Sequence, residues 1–288
     1  MSSSQASLGL DETVFPLRER LRLAGVPDPA VLFLMGTGVG FLPEKLRAYA
    51  THDLGEWCAS LGPWQEQVLH TGRLAELPVW LLDDVSGDPS EDEPESPWVR
   101  ALPVWLAAAS GAQVLVHTSA GSALSRAQPT PALALVSDHL NCSGTTPLLG
   151  LGESKLGPLF PDLSGLYHAG LRAAARERAQ ALGVPTFEAV VACTLGPALE
   201  TPAERRMLAR LGADVSVQNL ATPLLAAAHA GLTALALVAV GDADAGPADV
   251  RRVLSAAETL QPAIEDLLVA LAPALSETSF ARAAEVDA

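Results

Sequence analysis

Basic residues are scarce in this 288-residue sequence, and lysine is almost missing. Lysine and arginine together number 18 against 33 acidic residues, which gives a net charge of −15, and the two lysines are Lys45 and Lys155. A chain this acidic lacks the positive surface that nucleic acids and anionic membranes attract. We therefore expect neither nucleic acid nor a membrane among its partners.

Cysteine is also sparse: the sequence has Cys58, Cys142 and Cys193 and no C-x-x-C pair. An odd number of scattered cysteines excludes a disulfide-stapled scaffold and is typical of reduced thiols in a cytoplasmic protein. No group of histidines and cysteines has the spacing of metal ligands, so we expect no metal site.

Long hydrophobic runs are absent as well. The longest, residues 232–240, is far shorter than the roughly 18 residues that a membrane span needs, and it fits a buried strand. The first residues, MSSSQASLGLDE, have neither the basic start nor the apolar centre of a secretory signal. We expect residues 1–10 to be disordered and the protein to be cytoplasmic.

Apolar residues make up 49% of the chain, and predicted strands alternate with predicted helices from end to end. Many of the strands are continuously apolar, which is typical of a mostly parallel sheet covered by helices on both faces. We predict a single α/β domain over residues 11–275, with an acidic loop at 83–95 and a C-terminal tail at 276–288. Strands at 113–116 and 132–136 are expected to end in loops, at 118–122 and 137–141.

Small or polar residues follow several of the predicted strands. These junctions lie at residues 36–40, 118–122, 138–141, 196–200, 218–219 and 241–242. In sheets of this kind, ligands bind beyond the carboxyl ends of the strands. The junctions therefore predict one site at that edge of the sheet.

Several residues at these junctions could carry chemistry, and each has a plainer interpretation. The G-x-G-x-G at 36–40 can cradle an anion with its backbone N–H groups, but a tight turn without a ligand explains it equally well. Glu200 could accept an N–H from a ligand or only place a charge at a helix N-terminus. Asp242, at the end of an apolar strand, requires solvent or a bound group. His70 suits a structural role as well as a site.

Seven segments together give the sequence a family resemblance. They are MGTGVG at 35–40, HTGR at 70–73, SDHLN at 137–141, PLLG at 147–150, FPDLSGLY at 160–167, GPALETPAE at 196–204 and LGAD at 211–214. Their order and spacing resemble the trimeric purine nucleoside phosphorylase family, which includes methylthioadenosine phosphorylases. The resemblance implies a single α/β domain with a mixed central sheet, and a homotrimer. It also implies cleavage of purine ribonucleosides by phosphate to free base and ribose 1-phosphate, with phosphate as co-substrate and no other cofactor.

The resemblance further implies roles for single residues. Phosphate binding would fall to Thr37, Gly38, His70, Ser119 and Asn219, the last in place of the family's serine. The base and ribose would be held by Ser119, Ala120, Gly121, Phe160, Leu199, Glu200, Gln218 and Asp242. The catalytic set would be Glu200 and Asp242, which stabilise charge on the departing purine, together with His70. Phe160 would reach the ribose pocket of a neighbouring subunit.

The chain departs from the family at the phosphate end. The family pattern Gly-Arg-x-His-x-Tyr-Glu-Gly reads DDVSGDPS at 83–90, so the phosphate-binding arginine and histidine are missing and carboxylates stand there. Carboxylates repel a phosphate dianion, and we expect weak phosphate binding. Two alternatives to phosphorolysis follow: a catalytically impaired paralogue that binds purines, or a phosphate-independent nucleosidase in which Asp83 or Asp84 acts as the base.

Overall fold

The computed structural model describes residues 9–36, 39–40, 42–58, 62–85, 96–125, 127–218, 220–242 and 248–286, with only the backbone at 58, 242 and 286. The strands are β1 Val31–Met35, β2 Arg47–Asp53, β3 Val68–Leu74, β4 Leu77–Asp83, β5 Val114–Ala123, β6 Ala132–Asn141, β7 Thr186–Thr194, β8 Val215–Gln218 and β9 Thr233–Asp242. The helices are α1 Leu10–Leu23, α2 Gly55–Cys58, α3 Leu102–Ala109, α4 Ala169–Ala181, α5 Pro202–Arg210, α6 Ala221–His229, α7 Val250–Ala270 and α8 Ala272–Val286. Disorder was expected for residues 1–10: residues 1–8 lie outside this description, but Gly9 caps α1 and Leu10 is buried as its first residue, because it packs into the layer formed by α1, α3 and α6.

The described strands form one mixed sheet in the order β2-β3-β4-β1-β5-β8-β7-β6-β9, and β9 pairs with β5 as well. The additional pairing of β9 with β5 closes a ring of five strands, which form a barrel: β5, β8, β7, β6 and β9. The pairs β1–β4, β1–β5, β5–β9, β6–β7 and β7–β8 are parallel, whereas β2–β3, β3–β4, β5–β8 and β6–β9 are antiparallel. β5 is therefore bonded to three strands and lies at the centre of the fold.

Helices cover the sheet on both faces, and alternate residues of β1 show why. Leu32 and Leu34 pack in the layer that includes α1, α3 and α6, while Val31, Phe33 and Met35 pack in the layer that includes α4, α7 and α8. A strand buried on both faces needs a continuous apolar sequence, and β1 reads VLFLM. The predicted α/β domain with a mixed, helix-flanked sheet is confirmed. None of the helices in the described ranges is long and apolar enough to cross a membrane.

Three segments beyond the N-terminus have a secondary structure that differs from the sequence-based prediction. The expected loop at 118–122 belongs to β5, and the expected loop at 137–141 belongs to β6. Small and polar residues are held there as strand by pairing with a neighbouring strand: β9 pairs with residues 118–122 of β5, and β7 pairs with residues 138–141 of β6. The expected C-terminal tail at 276–288 is helical as far as Val286, with Ser279 buried and Arg282 donating to the carbonyl of Gly231.

Candidate active site

A cavity of about 240 Å³ lies between the ends of the central strands and the first turns of α7. Its walls come from β5, from β8, from the segments that follow β1, β4 and β7, and from α7. The lining residues are Gly36, Asp84, Ser119, Ala120, Gly121, Ser122, Leu199, Glu200, Ser216, Val217, Gln218, Val250, Val253 and Leu254. As expected for this class of sheet, the cavity is at a carboxyl edge of the parallel strands.

Six of the residues proposed from the sequence meet in this cavity: Ser119, Ala120, Gly121, Leu199, Glu200 and Gln218. They come from three separate segments of the chain. Their roles toward a purine stay predictions, but the structure brings their positions together.

His70 is not among the described residues that line the cavity. It lies on β3, and its Nδ1 is 2.7 Å from the hydroxyl oxygen of Tyr49 on β2. Burial lowers the pKa of His70, and the nearby charge of Asp83 opposes that shift only in part. The ring is therefore held neutral near pH 7, away from the cavity, in a form that offers no cation to a phosphate.

The other sequence-predicted residues fall into three cases. Phe160 is 88% exposed and is not among the described residues lining the cavity of its own chain. Thr37, Gly38 and Asn219 lie outside the described residues. Asp242 ends β9, where its backbone pairs with Ser122 of β5, and its side chain is outside the description.

Close backbone approaches explain two glycines in the cavity wall. A Cβ at Gly36 would lie 2.3 Å from the carbonyl oxygen of Thr118, and one at Gly121 would lie 2.6 Å from that of Ser216. The backbone N–H of Gly36 donates to that same Thr118 carbonyl at 3.0 Å. Only glycine lets the end of β1 and the β8 neighbour pack this tightly against β5.

Glu200 is fixed by polar contacts on both carboxylate oxygens. The hydroxyl of Thr194 donates to Oε1 at 2.6 Å and the hydroxyl of Ser216 donates to Oε2 at 3.3 Å. Thr194 ends β7 and Ser216 lies on β8, so two strands orient the group. With its side chain 8% exposed at the cavity wall, Glu200 presents an acceptor to any ligand inside.

Arg205 supplies the positive charge beside Glu200. Its side chain is 1% exposed, its Nη1 lies 4.0 Å from Oε2 of Glu200, and its Nη2 donates to the carbonyl of Ala123 at 2.7 Å. A buried carboxylate requires compensation of this kind. This contact could not be predicted from the sequence, since arginines on helices are mostly exposed.

Helix α5 begins directly after Glu200 and holds it in place. The hydroxyl of Thr201 accepts from the backbone N–H of Glu204, and the Glu204 carboxylate accepts from the backbone N–H of Thr201 at 2.7 Å. Together with Pro202 at the first helical position, this reciprocal capping box fixes the start of α5.

Replacing Thr201 by alanine is expected to lower the free energy of unfolding by about 1 kcal/mol, because one N-terminal N–H loses its acceptor. Urea denaturation followed by circular dichroism measures the change. Thr259→Ala is the matched control, since its hydroxyl bonds only within α7 to the carbonyl of Ser255. Equal effects for the two variants would contradict a capping role.

Asp84 and His117 form a buried pair, and the sequence analysis did not predict this contact. Asp84 follows β4, its backbone N–H donates to the carbonyl of Met35, and the residue lines the cavity. Because a carboxylate only accepts, the Nε2–H of His117 donates to Oδ2 of Asp84, over 2.7 Å. The two side chains are 10% and 1% exposed.

The sequence analysis named Asp83 and Asp84 as alternative candidates for the base of a nucleosidase and did not distinguish between them. The structure separates the two: Asp83 ends β4 exposed to solvent, and Asp84 turns into the cavity. Ser122, Ser216 and the α7 residues Val250, Val253 and Leu254 were also missed. Alternation along β8 is the one signal that could have indicated Ser216, as a polar residue between two apolar ones.

Comparison with known proteins gives the family context. The model of the phosphorylase superfamily matches residues 39–273. Purine nucleoside phosphorylase 1 of Bacillus subtilis is 29% identical over 225 residues, which cover 77% of this chain and 82% of the relative. A putative purine nucleoside phosphorylase of Schizosaccharomyces pombe is 30% identical and covers 73% of this chain and 69% of its own length.

Solved structures with the same fold include purine nucleoside phosphorylase of Schistosoma mansoni in complex with adenosine. It superimposes with a TM-score of 0.80 at 21% identity, covering 91% of this chain and 97% of that one. Isoform 2 from the same organism, in complex with cytosine and ribose-1-phosphate, gives a TM-score of 0.79 at 23% identity. At this identity the likeness establishes the fold.

Proposed function

The chain belongs to the phosphorylase superfamily, and within it to the purine nucleoside phosphorylase family, and from this premise we propose that it cleaves the N-glycosidic bond of purine ribonucleosides. In the form of the reaction that the family resemblance implies, phosphate attacks ribose C1′ and the products are free base and ribose 1-phosphate. The enzyme is then a pentosyltransferase of purine salvage. The observation that carries the proposal is the placement of Glu200 in a cavity with Ser119, Ala120 and Gly121.

The purine end of the cavity suits this reaction. Glu200 can accept an N–H from the base, and this bond would fix the orientation of the purine and so of the glycosidic bond that breaks. The apolar wall of α7, with Val253 and Leu254, offers surface against which a flat base can pack. Preorganised polar groups that meet developing charge are usually the largest contribution to such catalysis.

The end of the cavity near Gly36 and Asp84 differs from the family pattern. We call it the acceptor end, because the family resemblance implies that the attacking phosphate binds there. Among its described lining residues, none is lysine, arginine or histidine, and Asp84 adds a carboxylate. Phosphate is therefore expected to bind in the millimolar range or more weakly. The purine-binding paralogue without catalysis and the phosphate-independent nucleosidase both stay open as alternatives, and the second is favoured by Asp84.

Asp242 leads to a prediction on base preference. If it faces the N7 and C6 edge, as the family resemblance implies, its ionised carboxylate accepts from a 6-amino group and opposes a 6-oxo oxygen. Adenosine should then bind about tenfold or more tightly than inosine, and Asp242→Asn should shift the preference toward inosine. Calorimetric titrations of the parent protein and of Asp242→Asn with each nucleoside measure these affinities. Equal affinities for adenosine and inosine in the parent, unchanged in Asp242→Asn, would show that Asp242 does not contact the base.

The exposed Phe160 supports a homotrimer in which each subunit completes its neighbour's site. Phe160 is accompanied by Leu159 and Leu163, which are also exposed, and such apolar surface is typical of an interface. Light scattering at micromolar concentration should give about three times the chain mass of 29.8 kDa. The mass of a monomer would contradict the trimer and leave Phe160 without a site to complete.

The proposed reaction is tested by incubating the purified protein with adenosine, guanosine and inosine, with and without phosphate, and separating the free bases by chromatography. Uridine is the control nucleoside. We expect release of a purine base from at least one nucleoside and none of uracil. Absence of any base release under all conditions would overturn the proposal in favour of the purine-binding paralogue.

A further inference from the structure

The position of Asp84 decides what can occupy the acceptor end of the cavity. Asp84 lines the cavity beside the segment that follows β1 and begins with Gly36, and its side chain, bonded to His117, is 10% exposed. The family resemblance assigns phosphate binding to that same segment, through Thr37 and Gly38. An ionised carboxylate of low exposure repels an anion strongly, because little solvent screens the two charges.

Asp84 and Glu200 approach the cavity from opposite sides of β5. Asp84 follows β4, which is separated from β5 by β1, and reaches over to His117 of β5. Glu200 is bonded to Ser216 of β8, and Ser216 pairs with Ser122 of β5 on its other side. A nucleoside whose base meets Glu200 therefore directs its ribose toward the Asp84 side.

We propose that water replaces phosphate as the nucleophile in this chain and that Asp84 is its general base, so that the protein is a purine nucleoside hydrolase. This inference rests on the proposed glycosidic cleavage and specifies its acceptor. Asp84 accepts a proton from a water whose oxygen bonds to C1′, while the C1′–N9 bond breaks and its electron pair leaves with the purine. The purine takes a proton from solvent and Asp84 returns its own, so nucleoside and water give free base and ribose.

The same carboxylate favours the reaction electrostatically. As the glycosidic bond loosens, positive charge develops on the ribosyl group, and the anionic Asp84 stabilises it as a fixed charge that needs no reorganisation. The negative charge of Asp84 causes both its repulsion of phosphate and its attraction for the ribosyl cation. A small neutral nucleophile is the one acceptor that this arrangement does not oppose.

His117 is a positioning residue in this proposal. Its imidazole is buried beneath the cavity, and its Nδ1 has no hydrogen-bond partner among the described residues. With Nε2–H donated to Asp84, His117 fixes the direction of the carboxylate. His117→Gln is therefore expected to lower kcat about tenfold while KM for the nucleoside stays within twofold, a split that a general loss of folding would not give.

The test measures base release from adenosine and inosine with 0 and about 50 mM phosphate and identifies the sugar product by 31P NMR and a reducing-sugar assay. We expect rates within about twofold of each other, with free ribose in both cases. Base release that depends on phosphate and yields ribose 1-phosphate would overturn the hydrolase and leave glycosidic cleavage standing. Absence of base release from both nucleosides would overturn the cleavage itself.

Substitutions at two neighbouring residues test whether Asp84 is the general base. Asp84→Asn keeps an oxygen that accepts from His117 but cannot take a proton, so base release should fall at least about 100-fold. Adenine binding by calorimetry should stay within about threefold, which also shows that the variant is folded. Asp83→Asn, at the exposed end of β4, is the matched control and should retain the parent rate. An Asp84→Asn variant as active as the parent would contradict the role of Asp84.

Discussion

Glu200→Ala is expected to remove purine binding and to lower kcat/KM for base release by about 10³-fold. The carboxylate is the acceptor at the purine end of the cavity, and hydrogen bonds to charged groups contribute about 1.5–3 kcal/mol each. The same bond orients the base, and misplacing the glycosidic bond by about 1 Å relative to the nucleophile can lower the rate by a further ~10²-fold. Calorimetry with adenine and a chromatographic rate assay measure the two effects separately.

The control for this substitution is Glu204→Gln, four residues further along the chain. Glu204 is exposed and accepts from the backbone N–H of Thr201, so it keeps the start of α5 without contacting the cavity. Its kcat/KM should remain within about twofold of the parent. A Glu200→Ala variant that still binds adenine would contradict the assignment of the purine to this end of the cavity.

Arg205→Ala is expected to lower the free energy of unfolding by about 3–5 kcal/mol, because it leaves the buried Glu200 carboxylate without its positive partner. It also removes the donor to the carbonyl of Ala123, at the end of β5. Thermal and urea denaturation measure the loss. Arg206→Ala changes the next residue, which is exposed, and should alter stability by less than about 0.5 kcal/mol.

A double substitution checks the cause of that effect. If the destabilisation arises from the uncompensated carboxylate, Arg205→Ala combined with Glu200→Gln should be less destabilised than the sum of the single variants. Additive effects would instead mean that Arg205 stabilises the fold through its packing and its other bonds, among them the one to Ala123, and not through Glu200.

The alternation of apolar strands with helices was enough to predict the fold class, and the junctions after the strands indicated the edge of the sheet at which the cavity lies. Glu200 could be located because it stands between a strand end and a strong helix cap at Thr201, both of which have local signatures. The extension of β5 over Ser119 and Gly121 could not be predicted. Alanine and glycine have low strand propensity, and β8 and β9, the strands that pair with this extension, are distant in sequence.

The polar pairs of the site were beyond prediction for the same physical reason. His117 and Asp84 are 33 residues apart, and their contact exists only because β4, β1 and β5 are neighbours in the sheet. The burial of Arg205 depends on the carbonyl of Ala123, 82 residues away. Residue type alone would have placed all three at the surface.

A crystal structure of the protein with adenosine or its cleavage products tests the central claim most directly. We predict the purine in the cavity beside β5, with a ring or exocyclic N–H donating to Glu200 and the ribose C1′ turned toward Asp84. A purine bound elsewhere on the molecule, or one in the cavity with its ribose at Glu200 and its base at Asp84, would contradict the account.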